Sequence, residues 1–259
     1  MRSLRLYRTD AIVLRRGDFG EADRLVTVYT PHLGKLRLLA KGVRRPVSKM
    51  AGHLELFTHA RLLVAKGRSL DLVTQSETID TFLPLREDLL RTTYAHYVVE
   101  LLDRLTPEHM EDYPLFASLI TALRRLAEDR QPEVAVRFYE TSLLDHLGYR
   151  PQLQNCAQCR REIEPVTNRF SARVGGVLCP ACGAADTTTS PLSVNALKVL
   201  RLLQSGNYQL ASQLRLDEPL RREIEGHLGA ALRHLLEREV NSAAFLNRLR
   251  SEDAARVSR

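Results

Sequence analysis

The fold of this chain is organised by residues 155–183, NCAQCRREIEPVTNRFSARVGGVLCPACG, which contain every cysteine of the sequence. The cysteines form two Cys-x-x-Cys pairs, Cys156 with Cys159 and Cys179 with Cys182, and nineteen residues separate the pairs. Two residues between cysteines allow a tight turn to aim both sulfurs at one ion, and two such pairs at this separation are typical of a four-thiolate zinc site. Four thiolates complete a tetrahedron and leave no position for water. The spacing therefore predicts one structural zinc ion per chain.

Two disulfide bonds or four buried free thiols are the alternatives for these cysteines. Disulfides are disfavoured because the N-terminus, MRSLRLYRTDAIVLRRGDFG, has an apolar core of only four residues and does not resemble a secretory signal. No apolar run approaches the length that spans a bilayer. We therefore expect a cytoplasmic protein with no membrane partner.

The positive charge of the chain is concentrated near its N-terminus. The 259 residues carry a net charge of +7, yet residues 1–50 alone hold twelve Lys or Arg against four Asp or Glu, a net charge of +8. A field concentrated in one region favours a polyanionic partner, nucleic acid before an anionic membrane. The alternative is an ordinary solvated basic face.

Five short runs with strand character precede residue 80. They cover residues 11–14, 25–29, 35–40, 60–65 and 70–75. The last two are joined by Lys66-Gly67-Arg68-Ser69, a hairpin loop that contains glycine. Five short strands in so few residues cannot leave two apolar faces open, which predicts a small closed or nearly closed barrel. The five-stranded OB-fold is the leading candidate, and an SH3-like barrel is the main alternative.

A basic segment lies between the third and fourth of these strands. No Asp or Glu occurs in residues 24–54, whereas residues 35–49 hold six Lys or Arg. Lys35, Arg37 and Lys41 have odd spacing, so in an extended segment they should project from one face. Because no acid neutralises these cations, we predict that the segment binds a polyanion. The predicted DNA-binding residues are Arg15, Arg16, Arg24, Lys35, Arg37, Lys41, Arg44, Arg45 and Lys49.

Helical periodicity replaces strand periodicity after Pro84. Helices are predicted over residues 94–105, 116–126, 132–147, 193–203, 220–235 and 241–249, with Ser193 as an N-cap. The predicted fold is therefore α+β. It comprises an OB-fold barrel (residues 1–80), then an all-helical domain (81–250) with an inserted zinc knuckle (153–185), and a flexible tail (251–259).

Motifs for catalysis are missing from the sequence. It contains no GxxxxGK[ST] phosphate loop, no GxSxG elbow and no HExxH pair. Asp71 with Asp80, or Glu21 with Asp23, could be imagined as a nuclease carboxylate pair, but surface carboxylates at arbitrary spacing are more often salt-bridge partners. We expect that this protein is not an enzyme.

The chain resembles the RecO family of bacterial recombination mediators. The segments that carry the resemblance are residues 11–14, AIVL; 20–24, GEADR; Thr30 with Gly34-Lys35; 41–45, KGVRR, with Ser48; and 52–54, GHL. The resemblance implies an N-terminal OB-fold, binding of single- and double-stranded DNA, and strand annealing. It also implies association with RecR and with the C-terminal tail of single-stranded DNA-binding protein, which together load RecA onto coated DNA at the nucleoid.

The barrel segment departs from the usual single-strand-binding OB-fold in its aromatic residues. OB-folds that bind single strands usually offer aromatic platforms for base stacking. This chain has no Trp, and its barrel segment offers only Tyr7, Phe19, Tyr29 and Phe57. We therefore expect binding to be dominated by phosphates, tolerant of sequence and steeply dependent on salt.

Three functions remain open at this point. The first is a DNA-binding mediator without enzymatic turnover. The second is a zinc-containing nuclease or another nucleic-acid-modifying enzyme. The third is a regulator that reads nucleic acid with its knuckle, which would concentrate DNA contacts near Arg160, Arg161, Arg169 and Arg173 rather than near residues 41–49.

Overall fold

The computed structural model describes residues 6–236 of the chain. They form two compact units, residues 6–128 and residues 129–236. The strands are β1 (Leu6–Phe19), β2 (Asp23–Thr30), β3 (Gly34–Ala40), β4 (His59–Ala65), β5 (Asp71–Asp80), β6 (Asn168–Ser171), β7 (Gly176–Leu178) and β8 (Ser190–Leu192). The helices are α1 (Pro84–Glu87), α2 (Leu89–Leu105), α3 (Tyr113–Glu128), α4 (Pro132–His146), α5 (Pro180–Ala184), α6 (Val194–Gln204), α7 (Tyr208–Ala211) and α8 (Glu218–Leu235).

The first unit is built on a closed five-stranded barrel with strand order β1-β2-β3-β5-β4. All neighbouring strands are antiparallel except β3 and β5, which pair in parallel at Leu38 with Asp71 and Leu39 with Leu72. The barrel closes because β1 pairs with two partners. Its first half runs along β4 and its second half runs along β2, with a bulge between Val13 and Arg15. The predicted barrel is confirmed.

β1 is longer than the apolar run that predicted it. The strand begins at Leu6 and continues through residues 15–19, beyond the predicted run of residues 11–14. Residues 15–19 remain extended because the backbone of β2 pairs with them as far as Phe19. A ribbon paired on one side needs no apolar side chains of its own, so hydrophobicity alone did not reveal it.

The barrel interior is filled by alternating apolar side chains from all five strands. They are Ala11, Val13, Val26, Val28, Leu36, Leu38, Ala40, Ala60, Leu62, Val64 and Val73, with Val43 and Leu54 from the β3–β4 loop. Each is at most 5% exposed. This close packing makes the barrel a rigid base for its loops.

Helices α2 and α3 belong to the same compact unit as the barrel. His96 of α2 packs edge-on against Phe57, and Phe116 of α3 packs edge-on against His59 at the start of β4. The helical region thus divides between residues 128 and 129, although the predicted domains divide at residue 80. Periodicity marks where strands give way to helices, whereas packing decides which helices the barrel keeps.

The second unit contains α4, α6 and α8, which contact one another, and the cysteine region. Ser193 caps α6 as predicted, since its hydroxyl accepts a hydrogen bond from the Ala196 amide at 3.1 Å. The region predicted as all-helical also holds a three-stranded sheet of order β7-β6-β8. β8 lies beyond the predicted knuckle limit of residue 185. The prediction missed this strand because its pairing partner β6 is distant in sequence. The predicted helix at 241–249 and the tail at 251–259 lie outside the described residues.

Candidate metal centre and nucleic-acid interface

The four cysteines converge in the second unit. Their Sγ atoms all lie within 4.8 Å of one another, and no disulfide joins them. The sulfurs of Cys159 and Cys179 are 3.9 Å apart. A tetrahedral zinc site with Zn–S bonds of about 2.3 Å has sulfurs separated by roughly 3.8 Å, so this donor set fits such an ion. The cluster can hold a metal ion with all four thiolates.

Local backbone geometry aims each pair of sulfurs. In the first pair, the Arg160 amide donates to the Cys156 carbonyl at 2.9 Å, and Arg160 adopts a φ of 65°, which closes the turn. In the second pair, Cys179 is the N-cap of α5, and the Gly183 amide donates to its carbonyl at 2.9 Å. The Cys179 amide also donates to the Cys156 sulfur at 3.4 Å, which ties the two pairs together.

The pKa values of two of the four thiols are shifted in opposite directions. Hydrogen bonds from the backbone and side chain of Arg161, and one with Cys156, lower the pKa of Cys159 to about 6. The hydrogen bond with Cys179 raises the pKa of Cys182 to about 12, because the proton is shared with a neighbouring sulfur. Four thiolates repel one another at this distance, and a bound cation is what allows all four to ionise together.

The arginines of the knuckle are mostly engaged within it. Arg169 donates to Thr189, with a distance of 2.7 Å to the Thr189 carbonyl, and Arg173 pairs with Asp186 at 2.8 Å. Arg161 interacts with the Cys159 sulfur, as its effect on that thiol indicates. The alternative that reads nucleic acid with the knuckle is therefore left with few uncommitted cations.

The barrel holds the other candidate site, and Lys35 does not belong to its exposed face. Lys35 is only 9% exposed. Its ammonium lies 3.1 Å from an Asp103 carboxylate oxygen and donates to the Thr106 carbonyl at 2.7 Å and to the Asp103 carbonyl. Lys35 therefore has the predicted direction on its strand, but its burial and its partners do not fit the predicted role in DNA binding. Alternation places it on the outer face, but the end of α2 covers that position.

Four of the predicted arginines form ion pairs with acids that are remote in sequence. Arg15 pairs with Asp103 at 3.3 Å and Arg16 pairs with Glu55. Arg24 lies 3.4 Å from Glu55, and both Arg24 and Arg44 contact Asp18, Arg44 at 3.3 Å. The expectation that nothing neutralises the acid-free stretch is therefore wrong for Arg24, Lys35 and Arg44. Asp103 and Glu55 carry no local signal that would have identified them as partners.

The remaining predicted cations are exposed and have no ion-pair partner in the part of the chain that the structure describes. These are Arg37, Lys41, Arg45 and Lys49, which we call the basic surface. Within residues 6–236, none of the four forms an ion pair with a carboxylate. Unpaired cations keep their full attraction for an incoming anion, since no internal partner must be displaced. The basic surface is thus the part of the predicted set best suited to phosphate contacts.

The loop that carries Lys41, Arg45 and Lys49 of the basic surface is anchored to the β1–β2 turn. The Gly42 amide donates to the Asp23 carboxylate at 2.7 Å, and the Arg44 amide donates to the Ala22 carbonyl at 2.9 Å. The carboxylate of Asp23 therefore has a structural task in holding this loop. Asp71 and Asp80 begin and end β5, so they are separated by the length of the strand.

Two protein-family models together match nearly the whole chain. A family model for the N-terminal part of recombination protein O matches residues 1–82, and one for its C-terminal part matches residues 86–244. Among the described residues, no helix has the length and apolar character needed to cross a membrane.

Similar proteins are named DNA repair protein RecO. That of Roseiflexus sp. (strain RS-1) is 48% identical over 246 residues, which cover 95% of this chain and 87% of the relative. That of Symbiobacterium thermophilum is 39% identical, with 95% and 98% covered, and one from Dehalococcoides mccartyi is 36% identical, with 95% and 97% covered. The resemblance inferred from short segments is confirmed, and the chain belongs to the RecO family.

Proposed function

We propose that this protein is a DNA repair and recombination mediator that binds single- and double-stranded DNA through the basic surface of its barrel. The observation that carries the proposal is the set of four exposed cations, Arg37, Lys41, Arg45 and Lys49, that have no ion-pair partner within residues 6–236. Phosphates are the natural ligands of such a set, and contacts to them carry no sequence information. Binding is therefore tolerant of sequence, as a mediator acting at any damaged site requires.

The barrel fits the OB-fold better than its SH3-like competitor. An OB-fold is a five-stranded Greek-key barrel that binds oligonucleotides. The strand order β1-β2-β3-β5-β4, with β1 shared between β2 and β4, supports this assignment. In an OB-fold, the face of strands 2 and 3 binds the ligand together with the loops between strands 1 and 2 and between strands 4 and 5. Arg37 lies on β3, and hydrogen bonds hold the loop that begins at Lys41 against the turn between β1 and β2.

Zinc is the metal that the four cysteines suit. Four thiolates in a compact tetrahedral set favour zinc over harder cations such as magnesium or calcium, which take oxygen ligands. Cys156, Cys159, Cys179 and Cys182 would hold one ion per chain. With no open coordination position, the ion would stabilise the knuckle and the second unit rather than take part in chemistry.

The proposed activity is annealing of complementary strands without ATP and without catalytic turnover. Two strands repel through their phosphates, and a cationic surface that screens this repulsion while leaving base edges free lets them pair. Family membership extends the proposal to a cytoplasmic, nucleoid-associated role with RecR and the tail of single-stranded DNA-binding protein, in loading RecA onto coated DNA.

The test measures how DNA affinity depends on salt for two matched double variants. Arg45→Gln with Lys49→Gln removes two cations of the basic surface, and Arg215→Gln with Lys198→Gln removes two exposed cations from the second unit. For single strands each lost phosphate contact flattens the log–log slope by about 0.7, so the first variant should lose roughly 1.4 and the control nothing. Its annealing rate should fall in parallel. A slope unchanged in the first variant would remove the basic surface from the binding site.

A further inference from the structure

The first unit contains a cleft lined by aromatic side chains, which the basic surface lacks. It has a volume of about 1020 Å³ and lies between the first half of β1, the β2–β3 turn, β4 and the start of α3. We call it the aromatic cleft. No local pattern in the sequence marks this cleft, because its walls come from segments as far apart in the chain as Tyr7 and Tyr113.

Two exposed aromatic rings form a platform in this cleft. His32 and Tyr113 stack with their ring centroids 5.8 Å apart and their planes within 15° of parallel. Tyr113 is 56% exposed and the His32 side chain is 68% exposed, so the pair also presents ring surface to solvent. Buried Leu36 and Phe116 form an apolar floor nearby. An exposed stacked pair is a surface on which a further flat ring can stack.

Cations outnumber acids in the lining of the aromatic cleft, with Arg8, Arg61 and Lys66 against Asp10 and Asp71. Asp10 pairs with Arg61 at 3.0 Å, and Asp71 keeps its charge while it accepts a hydrogen bond from the Tyr7 hydroxyl at 2.7 Å. Arg8 and Lys66, by contrast, form no ion pair within the described part of the chain. A ligand with an aromatic ring and a negative charge would match both the platform and these cations.

His59 adds a polar group at the same place. Its Nε2 atom is buried without a hydrogen-bond partner among the residues that the structure covers, and the residue lines the cleft. Burial lowers the pKa of His59, so its ring is neutral near pH 7. A neutral imidazole can donate to or accept from the edge of a nucleobase.

We propose that the aromatic cleft binds unpaired nucleotides of a single DNA strand, with a base stacked on the His32–Tyr113 platform and phosphates held by Arg8 and Lys66. This inference rests on the proposed DNA-binding function and adds a base-binding site to it. The cleft lining contains none of the four cations of the basic surface, so the two sites use different charged residues of the barrel. One barrel can thus contact two segments of DNA.

The experiment uses a pentanucleotide with a central 2-aminopurine, whose fluorescence is quenched when the base stacks. The full chain is compared with Tyr113→Ala and Tyr113→Phe. A matched control is Tyr149→Ala, which removes a tyrosine that is 58% exposed in the second unit. Loss of one base stack should weaken pentanucleotide binding on the order of tenfold and abolish the quenching in Tyr113→Ala. Tyr113→Phe keeps the ring and should retain both, as should Tyr149→Ala.

Further arms separate this inference from the proposed function. The double variant Arg45→Gln with Lys49→Gln should lose affinity for long strands while it still quenches the pentanucleotide. Unchanged quenching and affinity in Tyr113→Ala would overturn the cleft as a base site, even if the basic surface binds DNA. Free deoxyadenosine monophosphate that competed as well as the pentanucleotide, at equal nucleotide concentration, would assign the cleft to a mononucleotide and overturn it as a strand site.

Discussion

The same substitution should affect different properties of the protein at two basic residues of β3. Lys35 and Arg37 are two residues apart and project from the same outer face of the strand. Lys35 is 9% exposed and bound to the end of α2, whereas Arg37 is exposed and unpaired within residues 6–236. Replacement with methionine keeps an apolar stem at either position and removes only the charge. Lys35→Met should therefore affect stability, and Arg37→Met should affect DNA binding.

The cost at Lys35 follows from its partners. The ammonium makes contacts with the Asp103 carboxylate and with the carbonyls of Asp103 and Thr106, which match its three donors. Removing one member of a buried ion pair costs about 3–5 kcal/mol. Arg15 lies 3.3 Å from the same carboxylate and offsets part of the loss, so we expect about 3 kcal/mol, the lower end of that range. Arg37→Met should change the free energy of unfolding by less than about 0.5 kcal/mol.

Hydrogen exchange under native conditions is the suitable stability assay. The chain has two compact units, and one melting curve would mix their transitions. Exchange of barrel amides measures the opening of the first unit by itself. DNA affinity against salt is measured on the same samples by anisotropy. The slope should flatten by about 0.7 for single strands in Arg37→Met and stay unchanged in Lys35→Met. A Lys35→Met variant of normal stability with a flattened slope would refute the reasoning.

Three further outcomes are expected. Cys179→Ser should reduce bound zinc and accelerate exchange in residues 129–236 while barrel DNA affinity is retained at least in part; a zinc-free native preparation of full stability would contradict the metal assignment. Gly34→Ala should destabilise the first unit by at least about 1–2 kcal/mol, measured by barrel exchange, because φ is 63° and the new Cβ would lie 2.1 Å from the Met110 carbonyl oxygen. Burial lowers the pKa of His227 in the folded chain below its unfolded value of 6.5, so protonation favours the unfolded state. The contribution of the neutral ring to the free energy of unfolding is therefore full above pH 6.5 and is lost as the pH falls through the folded pKa. His227→Gln should therefore remove up to about 1.4 kcal/mol per pH unit from the acid-side slope of unfolding free energy, whereas His234→Gln, at an exposed position of the same helix, should keep the full slope.

Local patterns predicted the five barrel strands and the cysteine cluster, although they missed the second half of β1 and the sheet β7-β6-β8. The alternation of Leu36 and Leu38 with polar neighbours predicted β3, and the Ser193 cap predicted the start of α6. The cysteine cluster was predictable for a similar reason. Each Cys-x-x-Cys pair is organised by a turn of a few residues, so spacing along the chain already determines where two sulfurs point.

Remote packing decided what each basic residue does. The sequence by itself determined that positive charge is concentrated in the barrel and that Lys35 and Arg37 share a face. Only the tertiary structure decided that α2 covers Lys35, that Asp18 and Glu55 pair with Arg24, and that segments around Tyr7 and Tyr113 enclose one cleft. The physical reason is that periodicity specifies the direction of a side chain relative to its own strand or helix, whereas ion pairs and clefts depend on which distant segment lies opposite.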